Sequence, residues 1–297
     1  MKKLRIGYFA DGAWAHQALE KIINNPDFSI AFICVRFDSV DSYLVQRAAE
    51  LKLPLLKHKN INDPKVVSEV ASFNCDILVS MSFNQIFKSA LINLAPKKII
   101  NCHAGLLPFY RGRNILNWAL INNEKEFGIS VHEVDAGIDT GDIILQDRFP
   151  ISEEDTYATL LQRSFVACAD ILYRALVLIA SGNDQRIKQS SIHSEGSYCR
   201  QRKAGDEIID WQQSSLNLFN FIRAVCRPGP MATTHIRQSE VKINSSRMQS
   251  STESFEGVPG QLLKKTERGF LVKTLDSTLE IFDITSATEL HTGDRFI

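Results

Sequence analysis

Residues 98–146 read KIINCHAGLLPFYRGRNILNWALINNEKEFGISVHEVDAGIDTGDIILQ, and this stretch decides the fold. The apolar run from Lys98 to His103 predicts a buried strand that breaks into a loop at Ala104-Gly105. The loop continues through Pro108 and the basic Arg111-Gly112-Arg113. Ile115, Leu116, Ala119 and Leu120 then recur at helical spacing, and Gly128 to Val134 alternates as a strand does. Side chains alternate along a strand, so Asn101 and His103 share a face while Cys102 points into the core. The strand end brings together an amide donor and a base that titrates near neutrality. Asp139, in the Gly-rich loop after the next strand, supplies a carboxylate to orient or discharge that base. With no hydroxyl or thiol nucleophile in the set, the trio suits direct acyl transfer between two bound substrates.

The flanking chain alternates strands and helices. Leu4 to Ala10, Ser29 to Val35, Leu53 to Leu56 and Cys75 to Ser82 read as strands. Trp14 to Ile23, Tyr43 to Lys52, Asp63 to Phe73 and Lys88 to Leu94 read as helices. That order predicts a Rossmann-like, doubly wound, mostly parallel α/β sheet. The first strand–helix turn, FADGAWA, lacks G-x-G-x-x-G, which argues against hydride chemistry with a nicotinamide cofactor. A long helix is expected from a cap at Ser152 to about Ala180, with Glu153, Glu154 and Asp155 in its first turn. Residues 186–205 read as a polar linker between a catalytic domain, 1–185, and a smaller domain, 206–297. The latter opens with a helix at Ser214 to Val225, followed by the short β segments ATTHI, EVKINSS, GQLLKKT, GFLVKTL and LEIFDI. A β-rich, barrel-like unit is the expectation. Its edges give weak support to a homodimer.

Composition excludes several classes. Thirty-four Lys and Arg balance thirty-four Asp and Glu, so a polyanion gains no general attraction. The six cysteines form no C-x-x-C pair and read as reduced. No apolar run long enough to span a membrane is evident, and no signal peptide, so a cytoplasmic protein is expected. His103, His132 and Asp139 match no metal-ligand spacing, and no metal is expected. His132 reads as a strand residue with a backbone partner, with a place in the crevice as the alternative. Asp135 and Asp142 read as turn formers beside Gly137 and Gly141.

Asn101-Cys102-His103, Leu106-Leu107-Pro108, Tyr110-Arg111-Gly112-Arg113 and Asp139-Thr140-Gly141-Asp142 together resemble the folate-dependent formyltransferases. That family acts on glycinamide ribonucleotide, methionyl-tRNA and nucleotide-linked amino sugars. The resemblance implies the formyltransferase fold, 10-formyltetrahydrofolate as co-substrate, and Asn101, His103 and Asp139 as catalytic residues. It also implies that Phe83, Asn84, Gln85, Ile86 and Phe87 contact the pterin, with Asp135 and Ala136 closing the other side. Gly105 stands where the family usually has Ser, a departure expected to alter one loop hydroxyl and leave the triad untouched. Arg111 and Arg113, with Asn114, are candidates for gripping a pyrophosphate or sugar, since guanidinium forks match phosphate. Trp14 is a candidate for lining the acceptor side, with helix packing as the equal alternative.

Three acceptors are open. Methionyl-tRNA enzymes resemble this chain in length but carry a basic insertion after the second strand, absent from CVRFDSVDSYLVQRAAELKLP, and a basic C-terminal domain. Here residues 206–297 hold ten Lys and Arg against twelve Asp and Glu, a net charge of −2. Glycinamide ribonucleotide enzymes carry a Gly-Ser-Asn phosphate turn where this chain has Asp11-Gly12-Ala13-Trp14. Nucleotide-sugar N-formyltransferases share the RGR-N-I segment and Ile209-Asp210-Trp211, which points to a TDP-4-amino-4,6-dideoxyhexose and to O-antigen or lipopolysaccharide synthesis. Methionyl-tRNA formylation is the alternative, and a non-catalytic folate or nucleotide-sugar binding module is the second.

Overall fold

The computed structural model describes residues 3–249 and 255–297; residues 250–254, the end of a Ser-rich run, lie outside the described residues. The described chain forms two compact units, which interleave along the sequence. The first holds the residues through Gly112 with Phe127–Phe149 and Gln162–Cys199, and the second holds Arg113–Glu126, Pro150–Leu161 and Arg200–Ile297. Residues 186–199, read from sequence as linker, therefore cluster with the first unit.

The first unit is built on seven strands: β1 (Leu4–Ala10), β2 (Phe28–Cys34), β3 (Leu55–Leu56), β4 (Ile77–Met81), β5 (Ile99–His103), β7 (Glu126–Glu133) and β8 (Ile143–Pro150). Their order is β3-β2-β1-β4-β5-β7-β8. Pairing is parallel from β3 through β5 and turns antiparallel at β5–β7. The mostly parallel sheet expected from sequence is thus present. β8, whose residues IILQDRFP alternate weakly and carry charge, gave no strand signal. A two-residue pair, β6 (Arg111–Gly112) with β9 (Tyr198–Cys199), lies outside the main sheet.

Helices α1 (Gly12–Ile23), α2 (Ser42–Glu50), α3 (Pro64–Ser72), α4 (Ser89–Ile92) and α6 (Tyr157–Ser181) connect and flank the strands. Local signals set their starts. The Asp41 carboxylate accepts from Leu44 N at 3.0 Å, and Asp63, ahead of Pro64, accepts from Lys65 N at 2.9 Å. The strand order reverses direction between β1 and β4, where α/β sheets open a crevice at their carboxyl ends. Phe9 anchors that end, edge-to-face with Phe32, Phe83 and Phe87 at 5.5, 5.4 and 5.1 Å.

Two expectations about α6 are corrected. It starts at Tyr157, not Ser152: Ser152 N donates to the Asp155 carboxylate in a preceding turn, and Thr156 and Thr159 cap each other's amides. It is also long and apolar enough to cross a membrane, with a mean hydropathy of 1.7 over its best window. Its apolar side is spent inside the fold instead. Cys168, Ala169, Ile171, Leu172, Ala175, Leu176 and Ile179 are buried, Phe165 meets Trp14, and Arg174 pairs with Asp147 on β8.

In the second unit, α5 (Ile115–Ile121) and α7 (Ser215–Val225) accompany five antiparallel strands: β10 (Ala232–Ile236), β11 (Ser239–Met248), β12 (Leu262–Lys265), β13 (Gly269–Lys273) and β14 (Thr278–Ser286). All five were legible, because each alternates between turn residues. Their order is β10-β11-β14-β13-β12, which leaves β10 and β12 at the edges. Residues 293–297 bond to both: Gly293 N to Leu262 O and Phe296 N to Gly260 O on one side, Ile297 N to His235 O on the other. That bridging closes the sheet into a barrel and removes the bare edges that sequence offered in support of a homodimer. Phe296 stacks on Trp211 at 5.4 Å, and Trp211 Nε1 donates to Thr234 Oγ1. Phe296 is 1% exposed, so Phe296→Ala should cost about 3–5 kcal/mol in urea unfolding followed at Trp211 fluorescence. A loss under about 1 kcal/mol would show that this contact does not hold the barrel.

Candidate active site

The antiparallel register of β5 and β7 pairs Asn101 with His132 and His103 with Ser130. Cross-strand partners share a face, so this pairing, invisible to periodicity, delivers His132 into the crevice. Cys102 faces away as expected, its Sγ 3.6 Å from the carbonyl of Cys168 on α6.

The site centres on Asp139. One carboxylate oxygen, Oδ2, accepts from Gly112 N at 2.9 Å and lies 3.6 Å from His103 Nδ1. The other, Oδ1, lies 3.5 Å from His132 Nε2. Asn101 Nδ2 is 3.3 Å from the same His132 nitrogen. The outward nitrogens are tied to backbone: His103 Nε2 to Tyr110 O and His132 Nδ1 to Glu133 O, both at 2.7 Å. A carbonyl only accepts, so those outward nitrogens carry the hydrogens. In a neutral ring the inner nitrogen is then bare and turned toward the carboxylate. A proton arriving at His103 Nδ1 would complete an ion pair with Asp139.

Electrostatics agree. Burial pushes the His103 imidazole below its ordinary value, against the opposing pull of Asp139 and the Tyr110 carbonyl. Burial would raise Asp139, but the pull of the His103 and His132 rings when they carry a proton, together with the Gly112 N–H, outweighs it and holds the carboxyl well below its usual range. The resting pair is a carboxylate beside a neutral base.

Gly105 bears directly on this. A Cβ there would lie 2.4 Å from His103 Nε2 and 2.5 Å from Tyr110 O. The missing side chain is what lets the ring reach that carbonyl, so the departure from Ser touches the triad after all. Ser130 pins the same loop, donating to Gly105 O at 2.6 Å and receiving Gln146 Nε2 at 2.8 Å.

The remaining candidates are distributed less simply. Phe83 and Phe87 pack on Phe9. Asn84 Nδ2 holds Asp38, and Gln85 is fixed by Ile61 N and His58 O. Ile86 is 68% exposed on this pinned loop. Asp135 accepts from Gly137 N and Thr140 Oγ1, a turn-forming role, and Ala136 beside it is exposed. Trp14 meets Phe165, which favours its packing role. Arg111 is the clear correction: it is buried, and its guanidinium bonds inward to Gln189, Glu195 O and Tyr198, so it is not available to grip a phosphate. Arg113 and Asn114 belong to the second unit, Arg113 exposed and Asn114 accepting from Arg202 N. Among the described residues no group of three His, Cys, Asp or Glu could hold a metal ion. At the start of α1, Gly12 N donates to the Asp41 carboxylate at 2.8 Å, with Asp11 adjacent. A phosphate finds that helix end already taken by negative charge.

Comparison with known proteins follows the same lines. The formyl transferase family matches residues 26–176, and its C-terminal domain matches residues 202–291. The methionyl-tRNA formyltransferase of Alkaliphilus oremlandii is 31% identical over 250 residues, covering 84% of this chain and 79% of that protein. Its counterpart from Syntrophus aciditrophicus is 29% identical over 96% of this chain and 92% of that protein. WlaRD, a sugar 3N-formyl transferase crystallised with dTDP and 5-N-formyl-THF, has a TM-score of 0.68 at 23% identity, covering 98% of this chain and 99% of its own. The N-formyltransferase of Helicobacter canadensis, in complex with folinic acid and dTDP-3-aminofucose, has a TM-score of 0.67 at 22% identity, covering 96% and 100%. At these identities the structural likeness is one of fold.

The neutral state of His103 fixes the sign of a pH effect. An unfolded imidazole takes a proton below about pH 6.5, whereas the folded ring resists to lower pH. The unfolded chain then binds more protons, and stability falls as pH drops through that window. This group should contribute a slope of up to about 1.4 kcal/mol per pH unit. Urea unfolding of His103→Gln below about pH 6.5 should therefore show a shallower acid loss than wild type; equal slopes would mean that folding does not depress the ring.

Proposed function

The chain belongs to the formyl transferase family and is a formyl-transferring enzyme, and from that premise we propose that it formylates the amine of a nucleotide-linked amino sugar. The donor in this reading is 10-formyltetrahydrofolate. The chain's residues suit a pterin: Ile86 and Ile138 stand exposed on separate loops, and Asn84 Oδ1 is a buried acceptor without a protein partner. Residues 83–87 and 135–136 would hold it. When bound, the donor supplies a formyl carbon open to attack by an amine.

The single observation that carries the chemistry is the Asp139 carboxylate set 3.6 Å from His103 Nδ1 and 3.5 Å from His132 Nε2. An attacking amine must lose a proton, and negative charge must gather on the formyl oxygen. Asn101 has one N–H engaged near His132 and a second to direct at that oxygen. Both nitrogens of His103 already face protein acceptors, so its role is to take the proton at Nδ1, with Asp139 stabilising the imidazolium. His132 Nε2 lies beside the other carboxylate oxygen, at 3.5 Å.

The acceptor rests on charge. Zero net charge, and −2 across residues 206–297, give a tRNA backbone little to bind. The carboxylates at the start of α1 disfavour a ribonucleotide phosphate there. We favour a TDP-4-amino-4,6-dideoxyhexose, as in surface polysaccharide synthesis. Methionyl-tRNA formylation stands as the second reading, because the two curated relatives described above are methionyl-tRNA formyltransferases.

A panel assay separates them. Protein with 10-formyltetrahydrofolate is offered TDP-, UDP- and GDP-linked amino sugars and, separately, methionine-charged initiator tRNA. Tetrahydrofolate release with an amino sugar is expected, and Asn101→Ala should lower its kcat about 100- to 1000-fold. Turnover with the charged tRNA alone would overturn the acceptor, and no turnover by any route would overturn the reading altogether.

A further inference from the structure

The segment read from sequence as linker reaches back to the active carboxylate. Gln189, 3% exposed, sits in a 3-10 turn, Gln189–Ser191. Its Nε2 donates to the carbonyls of Asp139 and Gly141, each at 2.8 Å. Its Oε1 accepts from Arg111 Nε at 3.0 Å and Nη2 at 2.8 Å. A guanidinium only donates, so Arg111 dictates which end of the amide is oxygen, and the NH2 group is left facing the two carbonyls. The hydrogen-bonding capacity of the Gln189 amide is fully used.

Arg111 is itself immobilised. Its Nη1 donates to Glu195 O at 2.9 Å and to the Tyr198 hydroxyl at 3.2 Å, and its guanidinium carbon lies 5.1 Å from the Tyr198 ring centre. The next residue, Gly112, pairs with Cys199 in β6–β9, and a Cβ on it would fall 2.3 Å from Cys199 O. Gly112 is the residue whose N–H holds Asp139 Oδ2. One two-residue strand thus grips Asp139 at both ends, the carboxylate directly and the backbone through Gln189.

That double grip answers a physical need. Asp139 sits at φ +54°, a left-handed conformation unfavourable for a residue with a Cβ, and residues 135–138 before it are exposed. A carboxylate on such a loop would swing unless its backbone were held. We propose that Gln189 is a positioning residue for formyl transfer, fixing the Asp139 backbone so that its carboxylate meets His103 and His132. This rests on the reading of Asp139 as the carboxylate of the reaction.

Two substitutions keep the site filled. Gln189→Glu retains the Arg111 partner but turns an oxygen toward two carbonyls, and Gln189→Met keeps volume while removing all four bonds. The first readout needs no acceptor: ring 15N signals of His103 and His132 in the full chain, compared among wild type, both Gln189 variants and Asp139→Asn. Both Gln189 variants should move the ring signals in the direction that Asp139→Asn moves them. Wild-type ring signals in both would overturn the proposal. Unmoved signals in Asp139→Asn would instead overturn the carboxylate–imidazole contact on which it rests.

Kinetics give the second readout, as tetrahydrofolate release with the TDP-linked amino sugar. Each Gln189 variant should lose about 100-fold in kcat, the usual cost of misplacing a reacting group by an ångström, with KM for 10-formyltetrahydrofolate little changed. In an Asp139→Asn background the same substitution should cost less than about threefold, within the scatter of additivity. An equal loss in both backgrounds would overturn positioning and leave Gln189 a loop anchor.

Discussion

The structure depends on one half-buried carboxylate. Removing an unpaired carboxylate from water costs several kcal/mol, so Asp139 is tolerable only where protein donors and protonatable rings surround it. Gly112 N, His103 and His132 supply that environment. Their arrangement follows from the sheet. β7 runs antiparallel beside β5, and its register sets His132 opposite Asn101. A slip of β7 by one residue would turn His132 to the other face and take one of its partners from Asp139.

Around this centre the chain spends its polar side chains on loops rather than on surface. Ser130 and Gln146 hold the turn after β5, Gln85 and Asn62 hold the turn after β4, and Gln189 holds the loop carrying Asp139. Each is a single side chain reaching a loop far away in sequence and fixing its backbone. The crevice is therefore a set of braced loops on a rigid sheet.

The fold was legible because its strands are continuous apolar runs and its second-unit strands alternate between turn residues. Asn101 and His103 were legible for the same reason, since strand parity places them on one face. Three features were not. His132 needed the antiparallel register, which no local pattern encodes. Gln189 is one amide in a polar segment, and nothing in its neighbours marks it as buried. Arg111 was misread because a basic turn beside a candidate site suggests phosphate, whereas its guanidinium is taken up by Gln189, Glu195 O and Tyr198. Ser152 misled likewise: the acidic residues after it form a turn before the helix that Thr156 caps.

The central claim is that Asp139 stays ionised between two imidazoles throughout the working pH range. The most direct measurement is a carboxyl 13C titration of Asp139, assigned with Asp139→Asn. The Asp139 signal should hold its ionised position through about pH 3.9, where an ordinary Asp is half protonated. A midpoint at or above that value would contradict the claim.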